Sequence, residues 1–173
     1  AVRLAVAGGA SDLSLWENFF PTMLRFHKAI TSCRLAHSQP RVWQTECLAL
    51  YGQTGAGKTT WISELFPEDS VWWWTLSASH PWADGYAGQP IVVLDEFCAT
   101  MPFNVLLRVL DKSPLQMALK GSFVNFVPRL VVLLSNTRPD SWYSGMNQFA
   151  DKWPALERRL TNVWTTKKTA DGD

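Results

Sequence analysis

Apolar residues fall along this chain in two rhythms. Residues 47–51 (CLALY), 91–94 (IVVL) and 130–134 (LVVLL) are apolar at consecutive positions. Short continuous runs bounded by Gly, Pro or polar residues predict strands covered on both faces, as in a parallel sheet. Residues 71–76 (VWWWTL) are rich in β-forming types and predict a second strand, and residues 162–166 predict the last one. Between them the spacing turns helical. One helix is expected from Lys58 to about Phe66, stopped near Pro67, and another from Pro102 to Leu110. A short helix is expected to start at Pro154 and end at Arg158, Arg159 and Leu160. Residues 115–127 read as a hairpin turning at Gly121 and Ser122.

The amino-terminal part follows a different pattern. Residues 1–11 are small and glycine-containing, and read as a frayed end or linker remnant. Ser11 or Asp12 can cap a first short helix carrying Leu13, Leu15, Trp16, Phe19 and Phe20. Pro21 suits the first turn of a second helix, whose apolar side is Met23, Leu24, Phe26, Ile30, Cys33 and Leu35. Such a pair either covers one edge of a core or forms an oligomerisation collar. The turn at residues 38–41 divides the chain into a linker and helical segment, 1–40, and an α/β domain, 41–173.

Composition narrows the class. With 47% hydrophobic and 18% charged residues, the 173-residue chain is not a disordered one. Its formal net charge is only +1, so a nucleic acid would have to meet a local basic patch. Cys33, Cys47 and Cys98 lack metal-ligand spacing and read as three packed thiols in a reducing compartment. No apolar run approaches the ~18–20 residues that span a bilayer, so no membrane partner is expected. The chain begins at Ala1 rather than Met, and a neighbouring domain is expected beyond it.

The chemistry is concentrated at strand ends. Gly52, Gln53, Thr54, Gly55, Ala56, Gly57, Lys58, Thr59 and Thr60 follow the first apolar run and open a helix. Gly52 to Thr59 fits G-x-x-x-x-G-K-[ST]. Glycines let successive N–H groups curl around one anion, and the helix start adds its positive dipole end. Lys58 would then reach the β- and γ-phosphates of ATP, and the Thr59 hydroxyl would ligate Mg²⁺. Asp95 and Glu96 emerge from the end of the 91–94 run, where ligands bind in open α/β sheets. There Asp95 would hold Mg²⁺ through its water shell, and Glu96 would orient the attacking water. Asn136 ends the 130–134 run. It lies beside these acids if the two strands are neighbours; strand-end capping by Ser135 and Asn136 is the other reading. Lys120, at the hairpin tip beside Gly121, Ser122 and Phe123, suits a contact with a nucleic-acid backbone. The adjacent tryptophans 72–74 invite base stacking, but alternate rings on a covered sheet would fill the core instead.

The ordered set GQTGAGKTT, WADGYAGQ, VVLDEF, LKGSFVNF, LLSNTRPDSWY and ALERRL resembles the helicase domain of replication-initiator (Rep) proteins of circular single-stranded DNA viruses. These circovirus-like proteins are superfamily 3 helicases of the AAA+ class, and the resemblance covers about residues 47–165. It implies a homo-oligomeric ring, usually a hexamer, with ATP and Mg²⁺ between subunits. It implies 3′ to 5′ movement on single-stranded DNA during rolling-circle replication, in the host nucleus. It makes Asn136 the polar sensor, turns Lys120 and its hairpin toward the DNA channel, and makes the amino-terminal helices a collar. It puts an arginine finger at Arg159, with Arg158 as second choice. The family's amino-terminal nickase uses a His-hydrophobic-His motif that His27, His37 and His80 do not form, so that domain is absent from this chain.

The expectation is therefore a P-loop α/β domain of AAA+ type with a five-stranded, mostly parallel sheet, working as an ATP-driven DNA helicase. A small-molecule kinase would need an arginine-rich lid, and the segment from Asn136 to Arg159 is short and poor in arginine. A GTPase would carry Asn-Lys-x-Asp where Ser135-Asn136-Thr137-Arg138 stands. An assembly module that binds ATP without hydrolysis would have no use for Glu96.

Overall fold

The structure, a computed structural model, describes residues 1–10, 12–37, 39–75, 82–120 and 122–167. Ser11, Leu76, His80 and Gly121, each singled out in the sequence, lie outside them, as do the side chains of Asp12, Leu35 and His37. In chain order the elements are α1 (Val2–Ala7), α2 (Asp12–His37), β1 (Glu46–Gly52), α3 (Lys58–Leu65), β2 (Val71–Trp73), β3 (Ile91–Leu94), α4 (Phe103–Val109), β4 (Gln116–Leu119), β5 (Ser122–Asn125), β6 (Leu130–Ser135), α5 (Phe149–Glu157) and β7 (Asn162–Thr166).

The apolar runs became the centre of one sheet in the order β2-β3-β6-β1-β7. Every pairing in it is parallel, so the expected "mostly parallel" sheet is wholly so. The antiparallel pair β4-β5 stands apart as its own two-stranded sheet. Because side chains alternate across a strand, the sheet feeds two cores. Leu48, Leu50, Val93, Val132 and Leu134 face Ile62 of α3. Cys47, Ala49, Val92, Leu94, Val131 and Leu133 face the other way, onto a larger aromatic cluster. Trp72 and Trp74 are buried in that cluster with rings stacked 5.2 Å apart, while Trp73 packs on the α3 side. Alternation thus claims the tryptophan run for the core. The strand itself is shorter than expected, ending at Trp73, with Trp74 joined to the sheet by a single N–H bond to the Val93 carbonyl.

Other expectations change at the ends. Residues 1–10 are not a frayed remnant. Val6 of α1 is buried with Leu15, Met23 and Ile30 of α2, so a few apolar side chains order a six-residue helix too short to hold by itself. Pro21 does coincide with a break: α2 departs from helical geometry at Phe19, where the proline ring and its missing N–H disrupt the preceding turn. A second departure, at Phe26, has no signal in the sequence. Pro102 precedes α4 as its cap instead of lying in its first turn. α5 starts at Phe149, and Pro154 lies inside it. Phe149 and Trp153, rings 6.0 Å apart, pack toward the aromatic cluster and carry the helix back past the proline. Of the three thiols only Cys47 is buried; Cys98 is exposed, so the expectation of three packed thiols fails.

Candidate active site

β1, β6 and β3 are adjacent and parallel, so their carboxyl ends form one edge. From it project the glycine loop, Asn136, and the pair Asp95 and Glu96. Gly55 and Gly57 have φ of 78° and 75°, in the region that disfavours side chains, and Gly57 caps α3 from there. A side chain at Gly52 would meet the Thr166 hydroxyl at 2.2 Å, so β7 can approach only because this position is bare. The loop and the acids enclose a cavity of about 210 Å³ lined by residues 54–60, Asp95, Glu96, Ser135 and Asn136.

Inside it the side chains are already placed. Lys58 is 8% exposed and donates to the carbonyls of Gly52 (2.8 Å) and Gln53 (3.0 Å) and to Asn136 Oδ1 (3.0 Å). The ammonium's three donors are all engaged, which fixes it between the loop and the end of β6. Asn136 therefore faces the site, and the capping reading belongs to Ser135 alone. Thr59 Oγ1 donates to Asp95 Oδ2 at 3.0 Å. A hydroxyl and a carboxylate oxygen at that separation are the hard donors that Mg²⁺ takes together with phosphate and water, so the residues fit that ion. Asp95 Oδ1 accepts from the Glu96 N–H at 2.8 Å, and Glu96, with φ of 50°, lines the cavity and is exposed to solvent. One acid is thereby committed and the other free.

Residues with no role in the site on sequence alone hold this geometry. Beyond the last β3–β6 register pair, the Phe97 N–H donates to the Leu134 carbonyl at 2.7 Å. The buried Ser135 hydroxyl donates to the Phe97 carbonyl (2.7 Å) and accepts from Trp142 Nε1 (2.9 Å) and the Thr137 N–H (3.2 Å). These bonds lock the residues after the two acids to those beside Asn136. Their only signal in the sequence was the Trp-Tyr pair that follows the strand.

Not every candidate residue gathers here. The hairpin of Lys120, Ser122 and Phe123 does not line the cavity. The Lys120 N–H donates to Asp84 Oδ1 at 3.1 Å, its ammonium lies 3.7 Å from Asp84 Oδ2, and Phe123 is 57% exposed. Arg159, the first choice for a finger, is committed inside its own chain. It donates to the Ala155 carbonyl and to Asp111 Oδ2, each at 2.7 Å, whereas Arg158 is exposed. Asp111 is held below the usual carboxylate range by that bond from Arg159, against its own burial.

Comparison with known proteins follows this geometry closely. The RNA helicase family model matches residues 48–137, more than half of the chain and the stretch that carries the glycine loop, both acids and Asn136. The replication-associated protein of Pigeon circovirus is 31% identical over 96% of this chain and 51% of its own length. That of Porcine circovirus 1 is 38% identical over 74% of this chain and 40% of its own. The chain thus spans about half the length of the curated relatives it matches, or less. Among solved structures, the S. cerevisiae Hsp104-ADP complex aligns at a TM-score of 0.45 and 14% identity, covering 96% of this chain and 39% of that one. With a family model over more than half its length, and with replication-associated proteins of circular single-stranded DNA viruses as its relatives, the chain belongs to the RNA helicase family.

Proposed function

We propose that this chain is the motor of a viral replication initiator, hydrolysing ATP between neighbouring copies in a ring and unwinding DNA. The observation that carries this reading is the convergence of Lys58, Thr59, Asp95, Glu96 and Asn136 on one cleft beside a glycine loop. Backbone amides of residues 53–57 and the Lys58 ammonium hold the phosphates, and Asn136 sets the Lys58 position against the terminal one. Thr59 and Asp95 would hold Mg²⁺, which supplies charge neutralisation at the phosphate oxygens. Glu96 orients and polarises the water that attacks the terminal phosphorus, and the leaving diphosphate stays in the loop.

With Glu96 exposed at its edge, the cleft can accept a group from a neighbouring copy. Arg158 takes that role here, because Arg159 serves its own fold. Residues 1–40 are the collar. Leu4, Leu13, Leu24 and Phe26 lie outside their small core and are each more than half exposed, an apolar surface suited to another copy. Lys120 and Phe123 on the hairpin face single-stranded DNA, the lysine through phosphate and the ring through base stacking. Among the described residues no helix is long and apolar enough to cross a membrane. The relatives' role in replication points to the host nucleus.

ATP turnover is measured against protein concentration, with and without single-stranded DNA. The rate per chain is expected to rise with concentration and to rise further with DNA. A rate flat in concentration and indifferent to DNA returns the chain to the class of self-contained nucleotide enzymes.

A further inference from the structure

The strand order gives a direction to any nucleotide in the cleft. β1 feeds the glycine loop and lies between β6 and β7. Asp95, Glu96 and Asn136 all stand at the ends of β3 and β6, on one side of β1. A triphosphate whose terminal phosphate meets those groups runs back along the loop toward Thr60. Its sugar and base then leave on the β7 side.

What stands on that side is aromatic. Trp61 follows Lys58 by three positions on α3, and Trp164 lies on β7, with ring centroids 5.8 Å apart and planes tilted by 52°. Trp164 is the register partner of Leu50, so it rises from the face of the sheet that α3 covers. Two residues later Thr166 pairs with Gly52, the first residue of the loop. The pair therefore flanks the phosphate site on the side away from the acids. It is also exposed: Trp61 by 37% and Trp164 by 49%, while Trp72, Trp74 and Trp142 are buried. Two adjoining indoles in water leave a large apolar area unused by the fold.

We propose that Trp61 and Trp164 form the base platform of the nucleotide site, stacking the purine of ATP. This rests on the reading that a triphosphate occupies the cleft. Stacking uses the face of a ring and is tolerant of base identity, so GTP should be held nearly as well as ATP.

The test compares binding of Mg·ATP and Mg·tripolyphosphate to the unchanged chain and to Trp61→Ala, Trp164→Ala and Trp164→Phe. Loss of a stacked ring is expected to weaken ATP by roughly 5- to 150-fold in each alanine variant. Tripolyphosphate, which has no base, should bind all variants equally, and Trp164→Phe should keep most of the ATP affinity. ATP affinity unmoved by both alanine changes overturns the platform. So does an equal loss for both ligands, which marks a general defect in the loop. Smaller assemblies at unchanged ATP affinity also overturn it, in favour of a contact between copies. If neither ligand binds the unchanged chain, the phosphate-cleft reading fails, and the platform with it.

Discussion

Asp95 and Glu96 are neighbours in sequence in different surroundings, and the proposed mechanism gives them separate tasks. Asp95 accepts from Thr59 and from the N–H of Glu96, so both its oxygens are engaged. Glu96 adopts φ of 50° and is exposed at the edge of the same cleft. A residue held in that region is a small strain that the surrounding bonds at Phe97 and Ser135 sustain. Glu96→Gln keeps the size and removes only the ability to polarise water. ATP binding, followed by calorimetry, is expected to stay near the unchanged value. Phosphate release is expected to drop by about 10²-fold or more, the usual worth of a positioned base. Turnover within a few-fold of the unchanged chain would remove Glu96 from the mechanism. Ser135 is the residue that sequence reasoning undervalued. A serine at a strand end looks like a cap, and nothing nearby in sequence says that its hydroxyl will also receive Trp142 Nε1 seven positions on. Ser135→Ala leaves the Phe97 carbonyl without that donor inside the core, at a cost of about 1–3 kcal/mol in urea unfolding. A stability unchanged within error would mean that the bridge between the two strand ends is dispensable.

At the scale of elements, local signals and long-range contacts parted company. The central strands were legible because burial on both faces demands an uninterrupted apolar run, and the glycine loop was legible because backbone curvature demands glycine at Gly55 and Gly57. The start of α5 and the order in α1 were not. Both depend on apolar side chains finding partners far along the chain, which a local window does not contain. Arg41 makes the same point. In sequence it closes a turn. In the fold it is fully buried, donates to Thr45 and to the carbonyls of Arg108, Val109 and Ser113, and so caps the carboxyl end of α4. Burial lowers its pKa to about 10, still far above neutrality, so it stays charged. Arg41→Met is expected to cost about 2–4 kcal/mol, because several buried carbonyls lose a charged donor at once.

Next along, Asp111 joins the end of α4 to Arg159 after α5. Its folded-state pKa is depressed, first by the hydrogen bond from Arg159. The sign follows directly: the bridge contributes fully above the unfolded carboxylate value of about 4 and is lost as pH falls through the lower folded value. The stability gap between the unchanged chain and Asp111→Asn, measured by urea unfolding from pH 7 downward, should therefore stay constant to about pH 5 and close below pH 4. A gap that persists at the lowest pH would show that the asparagine disturbs packing instead.

On the scale of the whole molecule, the proposed ring makes each site depend on two chains. Each copy has a loop, two acids and Asn136, and the exposed Arg158 stands after α5, outside the residues lining its own cleft. In a head-to-tail ring each cleft meets the next copy's Arg158, because every interface repeats the same two unlike surfaces. Two single changes then break the same interface from opposite sides. Arg158→Ala leaves a chain with an intact cleft and no finger to lend; Glu96→Gln leaves a chain with a dead cleft and an intact finger. Each alone should turn over ATP slowly, the first by a factor of ~10³ or more if the arginine acts as others of its kind do. Mixed in equal amounts, roughly a quarter of the interfaces pair a working cleft with a working arginine, and activity should return toward that fraction. A self-contained enzyme cannot show this, since no mixture of two dead chains makes a live one. Arg159→Ala gives the contrast. It should lower stability by breaking the Asp111 bridge, and its residual defect should not be rescued by Glu96→Gln, because the group it loses acts inside its own copy. Rescue of Arg159→Ala but not of Arg158→Ala would exchange the two roles. No rescue of either would mean that hydrolysis does not need the neighbouring chain.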